Sequence, residues 1–284
     1  MSVRDPRALL RDAGLQPKKS FGQNFLVAES IADAIARACV RDDEVGRARV
    51  VEIGAGTGAL THRLAGRAAH VVAIERDRDL VPVLLSALAD TGAEVVEADA
   101  QSVDLQALLG PPAEGRVRVL CGNLPYSITG ALLRRAVEHA TFVERAVFMV
   151  QDEVARRLTA SPGSKEWGAL TVFVRAAFET RRVLRAPPGA FHPSPEVTSA
   201  VVELVPLRPP RALETGTFRA LVRGAFEMRR KTLRNAWAAL APPGGSLEDA
   251  AAAAGIDLRA RGETLDVEAF ARMAAVLDGR ERFP

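Results

Sequence analysis

The sequence contains few aromatic residues and very little cysteine. Phe, Trp and Tyr together make up 5% of its 284 residues, and Cys39 and Cys121 are its two cysteines. Two thiols are too few for a disulfide framework in a chain of this length and are typical of a reducing compartment, so we expect a cytoplasmic protein. The four histidines show no ligand spacing with each other or with either cysteine, so we expect no metal site.

Long hydrophobic runs and a large excess of one charge are also missing. No apolar run approaches the ~18 residues that a membrane helix needs, so we expect no membrane association. The 38 basic and 35 acidic residues leave a formal charge of +3, which by itself does not indicate a nucleic-acid partner. With 48% apolar residues, the chain is able to bury a sizeable core.

What the sequence does contain is an alternation of short β-rich runs with longer amphipathic stretches. We predict strands over Arg49–Ile53, His70–Glu75, Glu94–Ala98, Val117–Gly122, Ala146–Gln151, Leu170–Phe178 and Val197–Val205, and helices over Ala59–Gly66, Asp79–Asp90 and Gly130–His139. This order predicts an α/β fold in which a mostly parallel sheet carries helices on both faces, with an antiparallel member near its end.

A change of composition divides the chain. The segment Pro206–Pro210 holds three prolines and is typical of a linker. From Phe218 onward, apolar side chains recur every three or four residues, which predicts helices to the end of the chain. We therefore expect an α/β domain over residues 1–207 and a small all-α domain over residues 208–284.

A glycine-rich turn, Gly54–Gly58, follows the first predicted strand and precedes a helix. Glycines in such a turn let the backbone approach a ligand that a Cβ would obstruct. Glu75 ends the next strand, where it is placed to accept hydrogen bonds from ribose hydroxyls. Asp99 ends the third strand, followed by the small Ala100, and is placed to bind an adenine amino group.

Three interpretations of this turn remain open on the residues alone. A tight strand-to-helix turn without a ligand is one, and a dinucleotide site is another. The third glycine falls one residue earlier than in the dinucleotide fingerprint, which weakens that interpretation. The acid after the third strand favours the remaining one, an S-adenosylmethionine site.

The segment Gly122–Tyr126 follows the fourth strand and points to the substrate. An exocyclic adenine nitrogen is a poor nucleophile because its lone pair is delocalised into the ring. The side-chain oxygen of Asn123 and the carbonyl of Leu124 are placed to accept hydrogen bonds from that amine, and Pro125 fixes the turn. Tyr126, the only tyrosine, offers a ring face on which a base can stack.

With these residues in place, the chain resembles the ribosomal RNA adenine dimethyltransferase family, most closely its bacterial small-subunit (16S) type. The resemblance covers nearly the whole chain and includes the segments Lys19–Leu26, Gly54–Gly58, Asn123–Tyr126, Gln151–Ala155, Ser164–Leu170, Pro187–Val202 and Arg229–Asn235. It implies a Rossmann-like class I S-adenosylmethionine-dependent methyltransferase domain with a mostly parallel seven-stranded sheet.

The resemblance also implies the reaction and its partners. Methyl groups of S-adenosyl-L-methionine would pass to the 6-amino groups of two adjacent adenosines near the 3′ end of 16S rRNA, in the 30S subunit or its precursor, with S-adenosyl-L-homocysteine as product. We expect a monomer. The implied cofactor contacts are Gln23, Asn24, Leu26, Gly54, Gly56, Glu75, Asp99, Ala100 and Asn123. Phe191 is implied to sandwich the target base opposite Tyr126, although the sequence is equally compatible with a core residue there.

Charged residues set the expectations for RNA. Between Thr217 and Leu240 there are six cations and one acid, which we interpret as a phosphate-binding strip on one helix. Its proposed RNA contacts are Arg223, Arg229, Arg230, Lys231 and Arg234. The chain departs from the family at Asp152 and Glu196, where a Lys is usual, and phosphate contacts and salt dependence are expected to differ there.

Three further interpretations remain, the first within the same enzyme class and the other two in different classes. A resistance-type methyltransferase acting on 23S rRNA shares the same motifs but more often has Ile in place of Leu124. A ribosome-assembly factor, in which binding outweighs catalysis, is equally compatible with the basic strip. A nicotinamide dehydrogenase fits only the glycine turn.

Overall fold

The computed structural model describes residues 4–241 and 245–279. The chain divides into two compact units, one formed by the chain up to Ala155 with Arg181–Pro206 and the other by Arg156–Thr180 with the chain from Leu207 onward. The junction after Pro206 falls at the proline-rich segment, whereas Arg156–Thr180, which the sequence pattern places in the first domain, packs with the second unit. No helix in the described part of the chain is long and apolar enough to cross a membrane.

The strands form one large sheet and one small antiparallel pair. They are β1 (Phe25–Leu26), β2 (Ala48–Ile53), β3 (His70–Glu75), β4 (Glu94–Glu97), β5 (Val117–Asn123), β6 (Arg145–Gln151), β7 (Phe178–Ala186), β8 (Phe191–His192) and β9 (Ser199–Pro206). Within the residues described, the large sheet has the order β4-β3-β2-β5-β6-β9-β7. The pairings from β4 through β6 are parallel, and β9 runs antiparallel to β6. The predicted α/β fold and its antiparallel member are confirmed.

The central strands explain why the sequence shows near-continuous apolar runs. β5 and β6 are buried along almost their whole length, as expected for parallel strands covered on both faces. The order of the strands reverses direction at β2, with β3 and β4 on one side and β5 and β6 on the other. In open α/β sheets, ligands bind beside the carboxyl ends of the strands at such a switch point.

The described residues also form α-helices. They are α1 (Pro6–Asp12), α2 (Glu29–Cys39), α3 (Ala59–Ala65), α4 (Val81–Ala87), α5 (Leu105–Leu109), α6 (Thr129–Glu138), α7 (Asp152–Leu158), α8 (Ala169–Ala177), α9 (Gly216–Glu227), α10 (Leu233–Ala236), α11 (Leu247–Ala254) and α12 (Val267–Leu277). α2 and α3 pack together on one face of the first unit, where Ile35 and Leu64 are fully buried.

The segment Leu170–Phe178, predicted as a strand, is wrong: it is the helix α8, and the strand β7 begins only at Phe178. The β-branched residues of the segment favour a strand when considered alone. In the fold, however, Val172 and Phe173 are buried in the core of the second unit. Burial against that core outweighs the intrinsic preference of the residues.

The second unit concentrates the few large aromatic residues of the chain. Trp237, Phe218 and Phe270 are fully buried there. The rings of Trp237 and Phe270 meet edge to face with centroids 6.1 Å apart, and the Trp237 indole N–H donates to the carbonyl of Leu221 over 2.8 Å. The buried aromatic rings and the hydrogen-bonded indole explain how short helices pack into a defined core in this unit.

The close approach of β5 to β2 yields a stability prediction. A Cβ placed on Gly122 would lie 2.3 Å from the carbonyl oxygen of Ile53, so the backbone would have to shift. We expect Gly122→Ala to lower the free energy of unfolding by about 1–3 kcal/mol, measured by urea denaturation. Gly130→Ala is the control, because Gly130 lies in the first turn of α6 with open space around it. An equal loss in both variants would contradict the steric explanation.

Candidate active site

A cavity of about 390 Å³ opens beside the carboxyl ends of β2, β3 and β5. Its walls include every predicted cofactor contact, namely Gln23, Asn24, Leu26, Gly54, Gly56, Glu75, Asp99, Ala100 and Asn123, together with Leu124, Pro125 and Tyr126. Residues that are about a hundred positions apart in the chain therefore share one site, because parallel strands end at the same edge of the sheet.

The glycine turn and Glu75 form one hydrogen-bonded unit. The amide of Gly54 donates to the carbonyl of Ile74 over 2.9 Å, and the amide of Gly56 donates to Oε2 of Glu75 over 2.8 Å. Oε1 of Glu75 accepts from the amides of Arg76 and Asp77, each over 2.8 Å. Burial raises the pKa of Glu75 despite these bonds. Backbone donors thus fix the carboxylate in place at the cavity wall.

Glu52 is a cavity residue that the sequence reasoning did not single out. It lies on β2 two residues before Gly54, and its side chain is buried. Its Oε2 atom has no hydrogen-bond partner within the described residues. Burial raises the pKa of the Glu52 carboxyl to about 8, with a smaller opposing effect from the Thr61 hydroxyl and a further increase from Glu75. An acid within the apolar run Val50–Ile53 was the available signal, since an unpaired buried carboxyl is costly.

Asp99 and Arg76 border the cavity on another side. The Arg76 Nη1 atom lies 3.4 Å from Oδ2 of Asp99, and its guanidinium lies over the Phe21 ring at 5.5 Å from the centroid. Oδ1 of Asp99 accepts from the amide of Gln101 over 2.9 Å. A carboxylate held by one amide and one cation keeps further acceptor capacity for an amino group.

Buried Asp77 holds residues 18–24, here called the N-terminal segment, at the cavity. Its Oδ1 accepts from Nζ of Lys18 over 2.5 Å and its Oδ2 from Nε2 of Gln23 over 2.7 Å. Although burial raises the pKa of Asp77, these hydrogen bonds outweigh burial and lower it. Gln23 also accepts from the amide of Lys18 over 2.7 Å. The structure therefore shows both polar ends of Gln23 engaged in holding the segment in place.

The segment after β5 presents its acceptors to the cavity. Nδ2 of Asn123 donates to the carbonyl of Asn24 over 2.9 Å, which leaves the amide oxygen as its acceptor. The amide of Leu124 donates to the carbonyl of Met149 over 3.0 Å. The carbonyl of Pro125 accepts from the Thr129 hydroxyl over 3.0 Å. Hydrogen bonds to neighbouring elements thus fix the turn.

The two predicted stacking residues have different environments. Tyr126 lines the cavity, and its hydroxyl lies 2.7 Å from Oγ of Ser199. Burial raises the pKa of Tyr126. Phe191 is buried in β8, opposite Leu26 of β1, and packs in the hydrophobic core of the first unit. The structure therefore places Tyr126 in the cavity wall, whereas Phe191 is a core residue and does not belong to that wall.

The predicted basic strip lies in the second unit and is not one helix. α9 ends at Glu227, residues 228–232 form a turn, and α10 follows. The cations after Glu227 do not continue α9, because the chain turns there and packs Leu233 and Trp237 into the core. The expectation of a single helix over 217–240 is therefore wrong, although the cations remain adjacent in the chain.

The cations of this strip differ in whether they already have interaction partners within the protein. Arg229 donates to the carbonyl of Lys165 over 2.6 Å, and Arg234 forms an ion pair with Glu248. Arg223, Arg230 and Lys231 are exposed, and within the described ranges no acid pairs with them. A cation without an acidic partner breaks no ion pair when it binds a phosphate. The positive charge available to RNA therefore lies on these three residues.

The chemistry of the cavity fits S-adenosylmethionine. Its ribose requires acceptors and its adenine amino group requires another, and the carboxylates of Glu75 and Asp99 in the cavity wall are groups of that kind. Its methionine end carries an ammonium group, and the partnerless Oε2 atom of Glu52 is a buried acceptor of matching charge. The three acids line one cavity.

Comparison with known proteins agrees with this geometry. The family model described as "Ribosomal RNA adenine dimethylase" matches residues 14–278. A protein of Anaeromyxobacter dehalogenans strain 2CP-C named "Ribosomal RNA small subunit methyltransferase A" is 46% identical over 283 residues, covering 96% of this chain and 97% of the relative. A Geobacter metallireducens protein of the same name is 42% identical, covering 94% and 98%.

Solved structures agree at the level of the fold. A dimethyladenosine transferase from Plasmodium falciparum superposes with a TM-score of 0.74 at 24% identity, covering 88% of this chain and 95% of that one. The 23S rRNA methyltransferase ErmE superposes with a TM-score of 0.67 at 29% identity, covering 90% and 100%. On the family match, which spans nearly the whole sequence, the chain belongs to the ribosomal RNA adenine dimethylase family, whose members are S-adenosylmethionine-dependent rRNA adenine dimethyltransferases.

Proposed function

We propose that this chain dimethylates the 6-amino groups of two adjacent adenosines near the 3′ end of 16S rRNA, in the 30S subunit or its precursor. The observation that carries the proposal is the meeting of the Asn123–Tyr126 segment and the acidic cofactor wall in one cavity. Identity of 42–46% with proteins named as small-subunit methyltransferases supports the 16S substrate. We propose that the enzyme works in the cytoplasm as a monomer.

The residues around the cavity have separate tasks in this reaction. When bound, S-adenosyl-L-methionine supplies an electrophilic methyl group on a sulfonium. The oxygens of Asn123 and Leu124 accept hydrogen bonds from the adenosine amine, which favours a pyramidal nitrogen with an available lone pair. The Tyr126 ring, held through its hydroxyl by Ser199, stacks the base. Positioning supplies most of the acceleration, and the amine proton leaves to solvent after transfer.

RNA is proposed to be held by the second unit. Arg223, Arg229, Arg230, Lys231 and Arg234 contact phosphates and orient the substrate without reading its sequence. The target adenosines are then selected by RNA shape and by which bases can be splayed out of a stack. Residues 208–284 are accordingly proposed as the RNA-binding domain.

The two alternative functions are distinguishable. Identity with the 23S rRNA enzyme ErmE is 29%, which is lower than with the small-subunit relatives, and Leu124 is the residue of the small-subunit type. An assembly role would show as 30S binding that does not require methyl transfer. The site favours catalysis, because its acceptors are already fixed by protein hydrogen bonds.

The proposal is tested by methyl transfer from labelled S-adenosyl-L-methionine to 30S particles that lack the modification. Label appearing as dimethyladenosine near the 3′ end of 16S rRNA, mapped by mass spectrometry, is the expected result. Label on 23S rRNA in 50S particles, or 30S binding without label on either RNA, would refute the 16S dimethyltransferase proposal.

Removal of the Asn123 acceptor tests the proposed chemistry. We expect Asn123→Ala to lower kcat by about 100-fold or more, as for the loss of one preorganised polar group. Ser127→Ala is the control, because Ser127 is an exposed cavity neighbour on the same segment. Equal rates for both variants would exclude Asn123 from catalysis.

The Glu52 carboxyl predicts a pH dependence of cofactor binding. In the free protein this group is neutral below its pKa of about 8. An ammonium favours the ionised form, so binding releases a proton and affinity rises with pH, by up to about tenfold per unit. Isothermal titration with S-adenosyl-L-homocysteine from pH 6.5 to 8 should show this rise.

Glu52→Gln should bind more weakly and without that slope. No histidine lines the cavity among the residues described, and Glu75, the other cavity acid whose pKa burial raises, is retained in Glu52→Gln. A slope that persists in Glu52→Gln, or a flat profile in the native sequence, would rule out the Glu52–ammonium pair.

The basic strip predicts a difference among its cations. The double variant Arg230→Ala/Lys231→Ala should bind 30S particles with a salt slope reduced by about 0.7–0.9 for each phosphate that the variant no longer binds. Arg234→Ala should change the slope less, because Glu248 already neutralises that guanidinium. Filter binding between 50 and 200 mM salt measures the slopes, and equal slopes for all three proteins would mean that the strip does not bind RNA.

A further inference from the structure

Asp152, the first residue of α7, lies within ion-pair distance of two arginines. Its Oδ1 lies 3.5 Å from Nη1 of Arg182 and 3.4 Å from Nε of Arg185, both on β7. The Asp152 side chain is 14% exposed, against 31% for Arg182 and 61% for Arg185. The acid therefore lies beneath, and the two guanidinium groups form the surface.

This arginine pair lies at the same edge of the sheet as the reacting segment. Asp152 directly follows Gln151, which ends β6 opposite Ser199, and its amide donates to the carbonyl of Thr198 over 2.9 Å. Ser199 in turn holds the Tyr126 hydroxyl. The carboxyl end of β6 thus connects the arginine pair, through Asp152 and Ser199, to Tyr126, the residue proposed to stack the target base.

The third arginine of this stretch serves as an internal comparison. Arg181 is also 61% exposed, but it pairs with Glu203, which is 1% exposed and also binds Arg41. Glu203 lies opposite Val147 on β6, four positions before Gln151 and toward the other edge of the sheet. Exposure and charge alone therefore do not distinguish Arg182 and Arg185 from Arg181. Their position near the carboxyl end of β6 does.

The electrostatics of the arginine pair favour an anionic partner. Two cations over one acid leave an excess of positive charge, although Asp152 stands where the family usually has a cation. A guanidinium has five N–H donors in a fixed fork, so an arginine can pair with a carboxylate and still bind a phosphate. For Arg185, whose side chain is 61% exposed, stability alone accounts poorly for the ion pair, because solvent-exposed pairs contribute about 0–1 kcal/mol.

We propose that Arg182 and Arg185 bind backbone phosphates of the rRNA strand next to the target adenosine, and that Asp152 is the positioning residue that holds them at the carboxyl end of β6. The proposal rests on the rRNA substrate proposed above. It adds a phosphate site within the first unit, separate in sequence from the basic strip of the second unit.

The test compares Arg182→Ala/Arg185→Ala with the control Arg181→Ala in binding to 30S particles that lack the modification. Removing two phosphate-binding cations should reduce the salt slope of the double variant by about 1.4–1.8. The native sequence then loses roughly seven- to twelvefold more affinity than the double variant between 50 and 200 mM salt. Arg181→Ala should keep the native slope, and all three proteins should bind S-adenosyl-L-homocysteine equally.

Two additional variants complete the test. Arg182→Lys/Arg185→Lys keeps the charge and should restore most of the slope, which a purely structural role would not predict. If the double alanine variant lowers Tm, Arg185→Ala alone carries the test, with an expected slope change of about 0.7–0.9. A native slope in Arg185→Ala or in the double variant, while the native sequence still methylates 16S rRNA, would overturn the proposal. Absence of methylation by the native sequence would instead refute the proposed function.

Discussion

The parallel pairing of β2 with both β3 and β5 is the constraint on which the site depends. It brings the carboxyl ends of three strands to one edge, and each strand ends in a polar residue or a turn that a single ligand can touch. Because the pairing is fixed by burial of nearly continuous apolar strands, one edge holds Glu75, Asn123 and the glycine turn together. A shift of one residue in β5 would displace Asn123 and the segment after it.

Hydrogen bonds from the backbone account for the rigidity of this edge. The Glu75 carboxylate accepts three amides, and the Asn123 amide is held by the N-terminal segment. That segment is in turn fixed by Asp77. The acceptors aimed at a ligand are therefore set before binding, which is the condition for electrostatic catalysis without reorganisation. Glu52 is the exception, because its buried Oε2 atom has no hydrogen-bond partner among the described residues and is the acceptor proposed for an ammonium group.

The sequence predicts most strands of the sheet, its antiparallel member and the cavity residues other than Glu52, since periodicity and glycine placement are local signals. It fails where tertiary packing decides. Leu170–Phe178 has strand-forming residues but is helical in the second core, and the basic strip breaks after Glu227 because the chain must bury Trp237. Pairing of Asp152 with the arginines of β7 is likewise invisible in sequence, because contacts between residues about thirty positions apart are not encoded by any local pattern.

The most direct test of this account is a crystal structure of the chain with S-adenosyl-L-homocysteine. The account predicts ribose oxygens on the Glu75 carboxylate and the amino nitrogen on Oε2 of Glu52, each within about 3.2 Å. Asp99 should accept from the adenine amino group. A ligand bound away from the carboxyl ends of β2, β3 and β5, or a ribose held by residues other than Glu75, would contradict it.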